Sequence, residues 1–288
     1  MDLALRVGGE IVSVDSMQVY RGMDIGTAKP DLAVRRRVTH HLIDLVDPSD
    51  ELTVGDFRRR GLPVLDRLAR AGTPAVVSGG SGLHFRSLVD PMSMAPSDPV
   101  VRAALEATPP PDLAVELLAA DPHAGGHVDL ANPRRVLRAV EILRLTGVTP
   151  SQRAQTTEYR DLRNYRPERA FVAVGVDPGD AMADRVTARF DAMIDTGLLD
   201  EVAALAPRLG RTARHAVGYA QLLPVVAGEV APAAGREAAI RATLSLVKRQ
   251  RTFFRRDPRL RWISWHDDPA ERLSRALDVL EQEPAWIS

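Results

Sequence analysis

The sequence predicts an α/β protein with a parallel sheet and an all-helical insertion near its middle. Three observations carry this. Short β-rich apolar runs (Ile11 to Val14, Leu42 to Leu45, Ala75 to Val77, Phe171 to Val176, Leu260 to Ile263) alternate with longer amphipathic stretches such as Val54 to Ala71 and Asp180 to Ile194. That alternation is the order of βαβ units. From about Pro96 to Glu168 no strand pattern occurs, only helical patterns broken by Pro109-Pro110-Pro111, Asp121-Pro122 and Gly125-Gly126. The 288 residues are 45% hydrophobic and 26% charged, enough apolar material for a sizeable core. The expected divisions are residues 1–95 and 169–288 for the core and 96–168 for the insertion.

The opening is unusual. Met1 to Val7 sets Leu3, Ala4 and Val7 at helical spacing and closes on Gly8-Gly9, yet a helix needs ~12–15 residues to hold in water unaided. A parallel sheet normally opens with a strand, so the segment reads as the end of a helix whose start, and the strand before it, are absent.

The strand Ile11 to Val14 runs into Asp15-Ser16-Met17-Gln18-Val19-Tyr20. Ligands of open α/β sheets bind beyond the carboxyl ends of strands, where Asp15 falls. A carboxylate there can take a proton, and the Gln18 amide can read a base edge in two directions. Alternatively Asp15 and Ser16 only cap the next turn. The loop Gly22 to Pro30 holds Lys29 and could surround phosphate with backbone N–H groups. It lacks the spacing of a Walker A motif and equally suits an ordinary turn. Ser78-Gly79-Gly80-Ser81-Gly82 follows a strand and feeds a helix, which fits either an anion site or tight strand-to-helix packing.

In the insertion, Asn132-Pro133 is a helix start, a capping residue followed by proline at the first helical position. Arg134, Arg135 and Arg138 then fall within about 100° of one another, opposite Val136, Leu137, Val140 and Leu143. Three arginines without an acid among them suggest phosphate contact. Farther on, Arg241, Lys248, Arg249, Arg251, Arg255, Arg256, Arg259 and Arg261 face Asp257 alone, and Arg241, Lys248 and Arg255 recur every seven residues. Such a helix suits a polyanion, or is simply a charged surface.

Composition excludes other classes. Thirty-eight basic residues balance 38 acidic ones, so the chain is no global polycation. Only Lys29 and Lys248 are lysines, so a phosphate site must rely mainly on arginine. There is no cysteine, hence no disulfide, thiolate zinc site or cysteine nucleophile. No apolar run reaches the ~18 residues of a membrane span, no signal peptide is visible, and a cytoplasmic protein is expected. The histidines form no metal site: Gly125-Gly126 separates His123 from His127.

Together these segments resemble the tRNA dimethylallyltransferase (tRNA isopentenyltransferase) family. The matching pieces are Asp15 to Tyr20, Gly22 to Pro30, His40-His41-Leu42-Ile43-Asp44, Gly79 to Leu83, Asp98-Pro99 with Arg102, and Asn132 to Arg135. They continue with Arg189-Phe190-Asp191, Gly197-Leu198-Leu199, Gly218-Tyr219, Lys248-Arg249-Gln250 and Phe254-Arg255-Arg256. They follow family order to about Trp262. The resemblance implies a P-loop-NTPase-like core with a helical insertion. It also implies transfer of a dimethylallyl group from dimethylallyl diphosphate to N6 of the adenosine 3′ of the anticodon, in tRNAs reading codons that start with U, giving N6-isopentenyladenosine. By the same resemblance Asp15 is the general base, and Ser16, Met17 and Gln18 hold the target base. Ser81, a threonine in most of the family, and Arg102 contact the tRNA. Arg134, Arg135, Val136, Leu137 and Arg138, with Gly218 and Tyr219, hold the anticodon stem-loop. Arg189 binds the diphosphate, Mg²⁺ sits on the leaving group, and the protein is expected to be a monomer.

The resemblance also places a P-loop ahead of Asp15, where this sequence has none. Either the start codon lies too far downstream or the phosphate cradle is lost. The competing readings are an adenylate isopentenyltransferase, which would not need the arginine faces, a catalytically dead tRNA-binding protein, and a P-loop-type small-molecule kinase. The chain starting at Met1 is therefore expected to transfer little or no dimethylallyl group, since one missing preorganised donor costs ~3 kcal/mol. The check is transfer to an anticodon stem-loop by this chain and by one extended through the upstream codons. Equal activity would mean that the diphosphate is held some other way.

Overall fold

Strand β1 (Glu10–Ser13) is the centre of the first sheet. Its Ile11 and Val12, and Val14 after it, are buried, and β-branched side chains suit a strand covered on both faces. In this computed structural model, which describes residues 1–283, β1 pairs in parallel with β2 (His40–His41) and with β3 (Ala75–Ser78). Ile11 stands opposite His40 on one side and Val76 on the other. A second ladder pairs β4 (Ala173–Asp177) with β5 (Leu260–Ser264), also in parallel. Among the described residues, β3 and β4 each have a neighbour on one side only. The last positions of the expected third division, 284–288, lie outside the described residues.

The connections are helical. α1 (Asp2–Val7) precedes β1 and stops at Gly8, which takes the left-handed conformation at φ 64°. α2 (Leu32–Arg37) starts on the Asp31 side chain, and α3 (Val54–Arg70) on a capping box of Thr53 and Asp56. α4 (Gly82–Val89) follows β3.

The chain divides into two units, Met1–Val89 with Ala170–Ser288, and Asp90–Arg169. The second unit is helical throughout among its described elements: α5 (Pro99–Glu106), α6 (Pro110–Ala120), α7 (Pro133–Thr146), α8 (Pro150–Ala154) and α9 (Thr157–Arg163). Leu105, Leu113, Leu117, Val136 and Val140 make its own core. It begins at Asp90 rather than at 96 because Arg138 of α7 donates to the carbonyls of Ala95 and Pro96, tying that stretch to the insertion.

After β4 come α10 (Met182–Asp195), α11 (Leu198–Leu205), α12 (Tyr219–Val226) and the long α13 (Pro232–Phe254), and after β5 comes α14 (Pro269–Glu281). Val12, Tyr20, Met23, Phe57, Leu88, Phe190, Leu198, Tyr219 and Leu222 belong to one buried cluster. No helix among the described residues is long and apolar enough to cross a membrane.

Two expectations change. The strand expected over Leu42 to Leu45 stops at His41, because the chain turns at Leu42 (φ 62°) and Asp44 (φ 55°). There Asp44 meets Lys29 and Arg35 at 2.7 and 2.6 Å, and the N–H groups of Leu45 and Val46 both reach the Val19 carbonyl. Side-chain charge wins over β propensity at these residues. The basic helix, too, is shorter than its sequence pattern. α13 ends at Phe254, Arg259 is bound to Asp257 through two nitrogens, and Arg261 lies on β5.

The insertion contains a fully buried carboxylate, Glu141. It accepts from Ser97 Oγ at 2.6 Å, Arg138 at 2.7 Å and Arg102 at 3.2 Å. Burial alone would raise its pKa, but these donors and charges outweigh burial and hold it below the ordinary glutamate value. A depressed folded-state pKa adds stability above the unfolded value, about 4.3, and that stability is lost as pH falls through the folded one. Glu141→Gln is expected to cost about 1–3 kcal/mol at neutral pH and to flatten the acid limb of thermal unfolding below about pH 4. An unchanged limb in the variant would place the acid sensitivity elsewhere.

Candidate functional site at the end of the first sheet

The site grows from the carboxyl end of β1. Val14 extends the ladder: its N–H reaches the Ser78 carbonyl at 2.8 Å, and its carbonyl accepts from the Ser81 N–H at 3.0 Å. The turn after β1 and the glycine turn after β3 are thereby stitched together, which brings Asp15 and Ser81 to one end of the sheet.

Asp15 makes an Asx turn: Oδ1 accepts from the N–H of Met17 at 2.8 Å and, more weakly, of Gln18 at 3.4 Å. Oδ2 has no hydrogen-bond partner among the described residues. One oxygen thus caps the turn and the other stays uncommitted, so capping does not use up the carboxylate. Ser16 and Met17 are half-buried beside it.

The Gln18 amide is fixed at both ends. Its Oε1 accepts from Ser13 Oγ at 2.9 Å, and its Nε2 donates to the carbonyls of Thr27 and Ala28 at 3.1 and 3.4 Å. Those carbonyls lie on the Gly22 to Pro30 loop, which is pinned by Lys29. The Lys29 ammonium is buried and donates to Tyr20 O, Asp24 and Asp44, each within 2.8 Å. Three of the loop's N–H groups are not offered to phosphate. Those of Asp24, Ile25 and Gly26 all go to the Glu201 carboxylate of α11.

On the other side, Ser81 Oγ lies 2.7 Å from His84 Nδ1. His84 is buried edge-on against Phe57, with ring centroids 4.6 Å apart. Burial lowers its pKa, and the charge of Asp15 opposes that shift. The packing reading accounts for the glycine turn: a Cβ at Gly79 would lie 2.6 Å from the Val14 carbonyl, and one at Gly82 would lie 2.1 Å from the Phe253 ring of α13.

The fold so arranged has known relatives. The family model described as IPP transferase matches residues 18–257. The chain belongs to the IPP transferase family. The tRNA dimethylallyltransferase of Streptomyces griseus is 39% identical to it, covering 97% of this chain and 90% of its own length. The one from Streptomyces coelicolor is 40% identical with the same coverage. Among solved structures, the tRNA isopentenylpyrophosphate transferase of Bacillus halodurans superposes with a TM-score of 0.70 at 31% identity, over 97% of this chain and 89% of its own. A eukaryotic dimethylallyltransferase acting on tRNA has a TM-score of 0.76 at 21% identity, over 98% of this chain and 75% of its own, and shares the fold.

The other residues expected in an IPP transferase site are placed unevenly. Arg189 is exposed on α10 with no side-chain partner among the described residues. Arg134 is exposed with no side-chain partner among the described residues, Arg135 faces Asp129 at 3.7 Å, and Leu137 is half-buried. Arg138 and Arg102 are instead engaged by Glu141. Val136 is 2% exposed, so its side chain packs inside the insertion rather than against a ligand. Gly218 and Tyr219 are also buried, and Tyr219 Oη donates to Glu201 Oε1 at 2.5 Å. Burial and the Glu201 charge push the Tyr219 phenol far above its ordinary pKa. These two correct the expected contact surface. On α13, Lys248 and Arg249 are exposed and, like Arg256 beyond its end, have no side-chain partner among the described residues, while Arg251 and Arg255 both reach Asp177. Sequence reasoning missed Glu201 and His84, since neither sits in a pattern that marks chemistry.

Replacing Arg134 and Arg135 with Ala is expected to lower affinity for an RNA hairpin and to flatten its salt dependence by about one slope unit per lost contact. Arg138→Ala should act mainly on the stability of the insertion. If Arg134 and Arg135 leave affinity and slope unchanged, that face is only solvated.

Proposed function

We infer that this chain is a prenyl transferase that moves the dimethylallyl group of dimethylallyl diphosphate onto N6 of an adenosine in tRNA. The relatives named above carry that activity in their names, and the split roles of the two Asp15 oxygens support it in this chain. We further propose as target the adenosine 3′ of the anticodon, in tRNAs reading codons that begin with U.

The reaction follows from the geometry. The lone pair of an exocyclic amine is spread into the purine ring, so N6 attacks only as it loses a proton. Asp15 Oδ2 takes that proton while Oδ1 stays anchored to the Met17 N–H. The new bond joins N6 to C1 of the dimethylallyl group, and the bond from C1 to the diphosphate oxygen breaks. The leaving diphosphate gains charge that the unpaired guanidinium of Arg189 can meet. Gln18, its amide fixed by Ser13 and Thr27, holds the flipped base. A loop adenine costs little to unstack. Mg²⁺ is a further expectation. Among the described residues no three His, Asp or Glu side chains gather around one point. An ion carried on the diphosphate oxygens would fit this arrangement, and no step above depends on it. The exposed Arg134, Arg135, Lys248, Arg249 and Arg256 favour tRNA over a free adenylate, and the cytoplasm, where a monomer would meet tRNA, suits this reading.

Asp15→Asn keeps the Asx turn and removes the base. It should leave stem-loop affinity unchanged and cut turnover by roughly 10²–10⁴. Single-turnover transfer by the chain extended through the upstream codons, with and without the substitution, is the check, and a rate within a few-fold would remove Asp15 from the role.

A further inference from the structure

Glu201 is carried by α11, far along the chain from Gln18. Its Oε2 accepts from the N–H of Asp24 at 2.9 Å and of Ile25 at 2.7 Å, and its Oε1 from the N–H of Gly26 at 3.0 Å and the phenol of Tyr219 at 2.5 Å. Three consecutive backbone donors on one carboxylate form an anion nest, filled here by the protein itself. Charge-assisted bonds of this kind are about twice as strong as neutral ones. The fit is tight, for a Cβ on Gly26 would stand 2.5 Å from the Tyr219 ring.

The next residues of that loop, Thr27 and Ala28, supply the carbonyls that receive Gln18 Nε2. An amide can be turned end for end, and what it reads depends on which end faces the ligand. With Nε2 committed to these carbonyls and Oε1 committed to Ser13 by only one of its two lone pairs, Gln18 retains an acceptor. The amino group of adenine is the donor that an acceptor selects. If the loop shifts, the two carbonyls leave and the amide is free to rotate.

We propose that Glu201, backed by Tyr219, is a positioning residue: by seating the 24–26 backbone it fixes the Gln18 amide with its oxygen toward the base, and so sets the preference for a 6-aminopurine. The proposal rests on the reading that Gln18 holds the target base.

The experiment measures binding of two anticodon stem-loops, one with adenine and one with unsubstituted purine at the target position, across a salt series. Gln18→Ala should abolish the preference for adenine. Glu201→Gln, which puts an NH₂ donor where only acceptors fit, should shrink it about threefold to tenfold, the worth of about one hydrogen bond, while affinity for the purine stem-loop and its salt slope hold. In the double variant Glu201→Gln should add nothing to Gln18→Ala, as residues in one network do. Should Glu201→Gln fail to fold, Tyr219→Phe removes one donor from the same carboxylate and should lower the preference about twofold. The proposal is overturned by an undiminished preference in the Glu201 or Tyr219 variant, by equal loss of affinity for both stem-loops, or by additivity with Gln18→Ala. A preference that survives in Gln18→Ala would overturn the reading of Gln18 itself, and the proposal with it.

Discussion

A buried ammonium cannot leave a proton unmet, and Lys29 has three. Each finds an oxygen: the Tyr20 carbonyl, Asp24 and Asp44. These oxygens come from the chain leaving β1, from the start of the following loop and from the segment after β2, so one side chain fixes three pieces of backbone. Asp44 in turn accepts from Arg35, and its carboxyl is held below the ordinary range: burial would raise it, but the two cations outweigh burial. Desolvating such a charge without partners costs several kcal/mol. This path of the loop meets all three protons, and the amide of Gln18 is built on it.

The site proposed above divides single groups between structure and chemistry. Asp15 gives one oxygen to its own turn. Gln18 commits its nitrogen to the loop and one lone pair to Ser13. Ser81 gives its N–H to Val14 and holds its hydroxyl 2.7 Å from His84 Nδ1. What remains, one carboxylate oxygen and one amide lone pair, is held without further ordering, which is what preorganisation means in energetic terms.

Much of this was legible in the sequence. Period and composition located β1, β3 and the Asn132-Pro133 start of α7, because caps and pleats are decided within a few residues. The helical insertion was legible from the lack of strand patterns. Contacts across long stretches of chain were not. Glu201 meets Asp24 from 177 positions away, and no local pattern distinguishes it from the solvated acids of an amphipathic helix. Arg138 looked like part of a phosphate-facing trio, but it lies half-buried between Glu141 and two backbone carbonyls. Its angular position on the helix was right and its partners were invisible. The strand expected at Leu42 failed for the same reason, since Lys29 and Arg35 are not part of that run.

The scarcity of lysine has a chemical consequence. Lys29 has a side-chain exposure of 0% and spends its ammonium on three oxygens. Acyl donors that modify lysines in proteins therefore find one accessible ε-amine, Lys248 on α13. Its other strongly basic side chains are guanidiniums, which neither lose their proton near neutrality nor react with such donors. The positive charge of this protein is close to permanent: ionic strength can screen it, but acylation can remove no more than a single unit from its side chains.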